Sequence, residues 1–250
     1  MRHEEIQRVY PNHYYLSHKN MGGAGRLVGK VDVIVFFVND SRSAWTERSK
    51  MKYRETQKAA MQYILKNARS KGVDLQLRNA YIDTTVPMEC TLNNYREWSQ
   101  AVMANFKKSS ILSFQQNYKA AHQCAEAPII FVLNKPFRSS AVSARWETRL
   151  NGEMSILSSN FDMRTIVHEL LHQFGAVDFY YPKEVSDLLQ RMRYSSVMGA
   201  ITGLTIDSLT SYLIGWTQEI DAPAVKILEH TKHFTREYMN AVIRREYQNP

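Results

Sequence analysis

The period of the apolar positions changes several times along the chain, and each change marks an element. "VDVIVFFVND" at 31–40 is an unbroken apolar, β-branched and aromatic run, the pattern of a strand covered on both faces. Residues 44–70 switch to helical spacing, with Met51, Ala59, Tyr63 and Ile64 offering one buried stripe, and Lys71-Gly72 ends that helix. "VDLQLRNAYID" at 73–83 alternates as a half-buried strand does, so the chain opens its sheet with a β-α-β unit and a parallel pair. A helical region then spans 94–123, and "APIIFVLNK" at 127–135 is another buried strand. "AVSARWETRLNGEMSILSS" reads as two β runs over 141–159 joined at Asn151-Gly152, the pair preferred in a two-residue hairpin turn.

Further on, Asp162 is placed to cap a helix over 163–174 that Gly175 stops, and helical segments follow at 184–193, 205–216 and 224–247 around an irregular loop at 194–204. The expected fold class is α+β: a twisted mixed β-sheet with a β-α-β start and an antiparallel edge hairpin, then a mostly helical C-terminal part. The expected organisation is a polar, tyrosine-rich lead-in over 1–29 and a single domain over 30–250, divided into a sheet-and-helix lobe (30–175) and a helical lobe (176–250).

Composition narrows the classes. A 44% hydrophobic and 22% charged chain of 250 residues is globular and can bury a full core. No apolar run approaches the roughly 20 residues that span a bilayer, and the first residues have no apolar signal core. Cys90 and Cys124 form no metal-binding C-x-x-C pair and read as two buried free thiols, with a single bridge between them as the alternative. The net charge of +8 suits an acidic partner in principle, but the basic residues of 42–71 are interspersed with Glu47 and Glu55, as on a solvated helix face. No interleaved basic and aromatic stripe points to nucleic acid. "MGGAGRLVG" fails the G-x-G-x-x-G spacing and precedes a strand, so it reads as an entry into the domain and not as a phosphate loop.

The chemistry concentrates in "HELLHQFGAVD", residues 168–178. Positions four apart on a helix lie about 40° from one another, so His168 and His172 project from one face and can reach a single ion. Glu169, one residue further round, can contact a water on that ion without ligating it, as a general base does. Gly175 can turn the chain sharply, which lets Asp178 bring a carboxylate back to the same ion. Two imidazoles and a carboxylate leave a fourth position open for water, the mark of a catalytic zinc site. Ile166, Val167, Leu170, Leu171 and Phe174 cover the other faces and read as core.

This stretch resembles the extended zinc motif of the metzincin metallopeptidases, H-E-x-x-H-x-x-G-x-x-H/D, in the aspartate version of the snapalysin-like enzymes. The resemblance implies a zincin-like fold and a zinc-dependent endopeptidase with one catalytic Zn2+. It implies His168, His172 and Asp178 as metal ligands, Glu169 as the base and Gly175 as the turn. The family's methionine turn is matched by "YSSVMGA", with Met198 supporting the site from below, and the residues after it, Ala200, Ile201 and Gly203, would wall a pocket for the side chain following the scissile bond. Many members carry a tyrosine two residues after that methionine; here the position is Ala200, and Tyr194 is a poor substitute. The implied partner is a protein or peptide substrate, laid along the edge strand of the hairpin. The family acts mostly outside the cell, which this chain would match if a leader preceded it; otherwise a cytoplasmic role is expected.

Two other functions use the same residues. Two histidines and a carboxylate also form the facial triad of non-haem iron enzymes, although such triads need no glutamate beside the first histidine. A basic binding module with structural zinc would lose nothing when Glu169 becomes Gln. His230 with His233, and His122 beside Cys124, lack the further ligands a site requires and read as surface or structural residues.

Overall fold

In the structure, a computed structural model that describes residues 1–142, 152–199 and 203–248 with side chains through 242, the run at 31–40 forms strand β1 (Gly29–Asn39), buried throughout from Val31 to Val38. Helix α1 (His3–Val9) precedes it. After β1 come α2 (Glu47–Ser70), β2 (Leu75–Thr85), α3 (Tyr95–Asn105), α4 (Ile111–His122), β3 (Ile129–Leu133), β4 (Ser140–Val142), β5 (Met154–Leu157) and α5 (Met163–His172). The chain continues with α6 (Lys183–Met192), α7 (Ser208–Leu213), α8 (Ala222–His230) and α9 (Arg236–Gln248). The described residues thus form a mixed α+β protein with one five-stranded, mostly parallel sheet. No helix among them is long and apolar enough to cross a membrane.

Two units divide the chain: Gly22–Gln173, and Met1–Met21 together with Phe174–Pro250. The first holds the sheet, in the order β2-β1-β3-β5-β4, parallel except for the antiparallel β4/β5 pair at one edge. Alternate residues of β1 face opposite sides, and both sides need cover. Ile34, Phe36 and Val38 join Trp98, Val102, Phe114 and Phe131 under α3 and α4. On the other side Phe37 meets Trp45, Tyr53 and Tyr81, and α2 and α5 pack together.

The stripe that α2 buries is Lys50, Tyr53, Gln57, Ala60, Met61, Ile64 and Ala68; Met51 and Ala59, expected inside, are exposed. Two polar residues, Lys50 and Gln57, lie in the true stripe and disguise it. Gln57 is satisfied there by Tyr53 Oη at 3.0 Å and Asn79 Oδ1 at 3.1 Å. The helical region expected over 94–123 is two helices, because Lys107 takes a left-handed backbone (φ 56°) and Ser110 caps α4 by accepting the Ser113 N–H.

A two-residue turn at Asn151-Gly152 does not fit the observed register. Val142 pairs with Met154 and Ser140 with Ile156, so residues 143–153 separate the two paired ends. A tight turn would instead place Met154 opposite Arg149. Asn151 and most of that connection lie outside the described residues.

Residues 1–29 are not the polar lead-in that their composition suggests. Ile6, Tyr10, Tyr14, Tyr15 and Leu16 are buried, and residues 1–21 belong to the unit that contains the C-terminal helices. Tyr14 N–H bonds to the Phe234 carbonyl at 2.6 Å, and Tyr15 contacts both Phe179 and Phe234. The tyrosines are amphipathic side chains whose rings fill this core. "GGAG" at 22–25 forms a closed turn in the other unit, with Gly25 N–H on the Gly22 carbonyl and Gly23 N–H on Glu153 Oε2.

His13 is buried with both ring nitrogens engaged. Nδ1 accepts the Tyr15 N–H at 3.2 Å, so Nε2 carries the proton and donates to Thr231 Oγ1 at 2.9 Å. Burial, with His233 nearby, lowers its pKa from 6.5 to about 4. Because the folded pKa lies below the unfolded one, stability is full above about pH 6.5 and declines as the pH falls toward 4, by on the order of 3 kcal/mol. Melting temperatures measured across this window are expected to fall steeply for the wild type and less for His13→Gln; parallel curves would remove His13 as the cause.

Candidate metal centre

Helix α5 is set by the residues around it. Asp162, in extended conformation, accepts the Thr165 N–H at 2.6 Å and caps the N-terminus, as the sequence predicts. Ile166, Val167, Leu170 and Leu171 are fully buried, so rotation about the helix axis is fixed by packing. The face that remains carries His168, Glu169 and His172, of which the first two are buried and His172 is partly so.

The Nε2 atoms of His168 and His172 lie 3.2 Å apart, with the rings at 89° to each other. Two nitrogens bound to one tetrahedral zinc at about 2.0–2.1 Å lie about 3.3–3.4 Å apart, so this pair is close to the spacing that a single ion requires. One Glu169 carboxylate oxygen completes a group whose members all lie within 4.8 Å of one another. His168, Glu169 and His172 could therefore hold or serve one metal ion, and the donor chemistry suits zinc.

The helix ends at His172, two residues before the expected limit, and its last turn is tied to the sheet by a side chain that no sequence motif singles out. Gln173 is 1% exposed. Its Nε2 donates to the Ile129 carbonyl and to Ser155 Oγ, both at 2.9 Å, while its Oε1 accepts the Ile129 N–H at 3.0 Å. Ser155 Oγ in turn donates to the Glu169 carbonyl at 2.7 Å. The Gln173 carbonyl accepts the Ala24 N–H of the glycine turn at 2.9 Å. The one signal for this in the sequence is a polar residue at the end of an apolar helix.

The remaining predicted site residues belong to the other unit. Asp178 is partly buried, and the next residue, Phe179, donates its N–H to the Met198 carbonyl at 2.8 Å. Met198 is fully buried in the Ser196–Gly199 turn. Ser196 Oγ accepts the Met198 N–H at 3.0 Å and donates to Asp207 Oδ2 at 2.6 Å. Asp207 also accepts from Tyr194 Oη at 2.9 Å and from the Thr210 N–H and hydroxyl, so Tyr194 is committed to this buried carboxylate. Burial and the Asp207 carboxylate push the Tyr194 hydroxyl far above its ordinary pKa. Burial, with Tyr14, Asp178 and Glu184 nearby, does the same to Tyr15. Gly203 lies so close to Ser196 that a Cβ there would meet its backbone nitrogen at 2.6 Å. Ala200 and Ile201, the other expected pocket residues, lie outside the described residues.

No family model matches this chain, and none of the curated proteins matches it. A solved structure described as "Structure of a chaperone-substrate complex" is similar at a TM-score of 0.43 and 14% identity, over 83% of this chain and 39% of that one. This chain spans well under half of that chain's length, and a likeness at this level carries no argument about fold or function.

Gly175 has φ +96°, and a Cβ on it would run into the His18 backbone carbonyl. The sharp turn expected there thus requires glycine for both backbone conformation and space. Gly175→Ala is expected to lower stability by about 2 kcal/mol or more, read as a fall of several degrees in melting temperature. An unchanged melting temperature would show that the turn relaxes freely.

Proposed function

We propose that this chain is a zinc-dependent endopeptidase in which His168 and His172 bind the ion and Glu169 is the general base. The observation that carries the reading is the 3.2 Å separation of the two Nε2 atoms, with the Glu169 carboxylate within 4.8 Å. The motif in the sequence assigns Asp178 as third ligand and Met198 as the supporting residue. Zinc, when bound in such a site, polarises a substrate carbonyl and lowers the pKa of a coordinated water toward about 7. Glu169 takes a proton from the attacking water onto a carboxylate oxygen and delivers it to the departing amide nitrogen.

Strand β4 is the last strand of the sheet on the β5 side, and its outer edge has no strand partner among the described residues. An extended peptide can add there, with backbone hydrogen bonds holding it in register. The substrate class is accordingly an unfolded or loop segment of a protein and not a compact small molecule.

Metal-free protein reloaded with zinc, and assayed on a diverse peptide library, tests the reading. Wild type and Glu169→Gln are expected to bind stoichiometric zinc equally, with cleavage by the variant lower by about 10²–10⁴-fold. His168→Ala and His172→Ala are expected to lose the zinc, and Asp178→Ala tests the third ligand by zinc affinity alone. Zinc binding that ignores both histidines, or equal cleavage by Glu169→Gln, would overturn the proposal; iron in place of zinc as the activating metal would favour the facial-triad chemistry.

A further inference from the structure

The hydrogen-bond circuit at the end of α5 joins three parts of its unit: the last turn of the helix, the entry of β3 and the middle of β5. In a continuing helix the Glu169 carbonyl would accept from the N–H of residue 173. Here the Gln173 N–H bonds one residue later, to the Leu170 carbonyl at 3.1 Å, which tightens the turn into 3-10 geometry. Ser155 Oγ takes up the Glu169 carbonyl from the side of the sheet.

The sheet supplies the counterpart. Ile34 N–H bonds to the Pro128 carbonyl at 2.9 Å, so Pro128 faces β1 and the amide of Ile129 faces the β5 side. The β3/β5 ladder starts only at Ile130 opposite Ser155. Gln173 meets the chain just before it, its Oε1 accepting the Ile129 N–H and its Nε2 donating to the Ile129 carbonyl.

The geometry points to Gln173 and Ser155 as positioning residues for the metal pair: they hold the turn that ends in His172 at a fixed height over the sheet. This inference rests on the zinc reading above. His172 immediately precedes Gln173, and Glu169 carries the carbonyl that Ser155 grips, so a slack circuit displaces a ligand and the base together. Buried carboxamide and hydroxyl groups whose bonds measure 2.7–3.0 Å have little freedom of their own. Outer residues that orient metal ligands typically change metal affinity about 10–100-fold when removed.

The test compares zinc dissociation constants, by chelator competition, with metal-free melting temperatures in Gln173→Met, Ser155→Ala and Gln115→Met. Gln115 is the control: a buried glutamine of the same unit whose Nε2 donates to the Ala127 carbonyl at 3.0 Å, away from the histidines on α4. All three variants are expected to melt earlier. Only Gln173→Met and Ser155→Ala are expected to weaken zinc, by about 10–100-fold. Zinc affinities within about twofold of wild type in both would reduce the circuit to packing and overturn the inference while leaving the metal site standing. If Gln173→Met does not fold, Ser155→Ala decides by the same criterion. A wild type that binds no zinc through His168 would bring down the metal reading, and this inference with it.

Discussion

A strand whose side chains are buried continuously from Val31 to Val38 imposes cover on both of its faces, and the rest of the Gly22–Gln173 unit follows from that demand. Helices α3 and α4 answer it on one side with aromatic side chains around Phe36 and Phe131, and α2 answers it on the other around Phe37. Helix α5 then completes the second layer beside α2, over β4 and β5. The histidine pair therefore stands on an element held by a packed interior on several sides, which is what a ligand pair needs if its two nitrogens are to stay at one separation.

Three buried polar side chains inside this architecture are paired with the backbone or side chains of distant elements. Gln57 reaches β2, Gln115 reaches the entry of β3, and Gln173 reaches Ile129. Each is a glutamine, long enough to cross from a helix to a strand and able to donate and accept at once. In the other unit Asp207 plays a comparable part, gathering Tyr194, Ser196 and Thr210 around one carboxylate and fixing the turn that contains Met198.

Features governed by local pattern were legible in the sequence. The apolar run of β1, the cap at Asp162 and the i, i+4 histidines depend on neighbours within a turn or a strand, and the structure places them accordingly. Features decided by partners far along the chain were not. Gln173 and Ile129 are 44 residues apart, and no periodicity announces a polar side chain that serves a strand. The Asn151-Gly152 pair is a good turn by composition, yet Val142 pairs with Met154, a register that a two-residue turn at that pair cannot give. Tyrosines made residues 1–29 look polar because a pattern that counts hydroxyls overlooks the rings beneath them.

The division of the chain also sets an order in its synthesis. Residues 1–21 find their partners at the far end: His3 N–H on the Gln218 carbonyl, Tyr10 on Glu229, His13 on Thr231 and Asn20 on Leu213. A ribosome making these residues completes the sheet and the histidine pair first, while the tyrosines of residues 1–21 wait for their partners at 213–234 to emerge. The nascent chain thus presents the histidine pair before residues 1–21 have met the partners of their own unit.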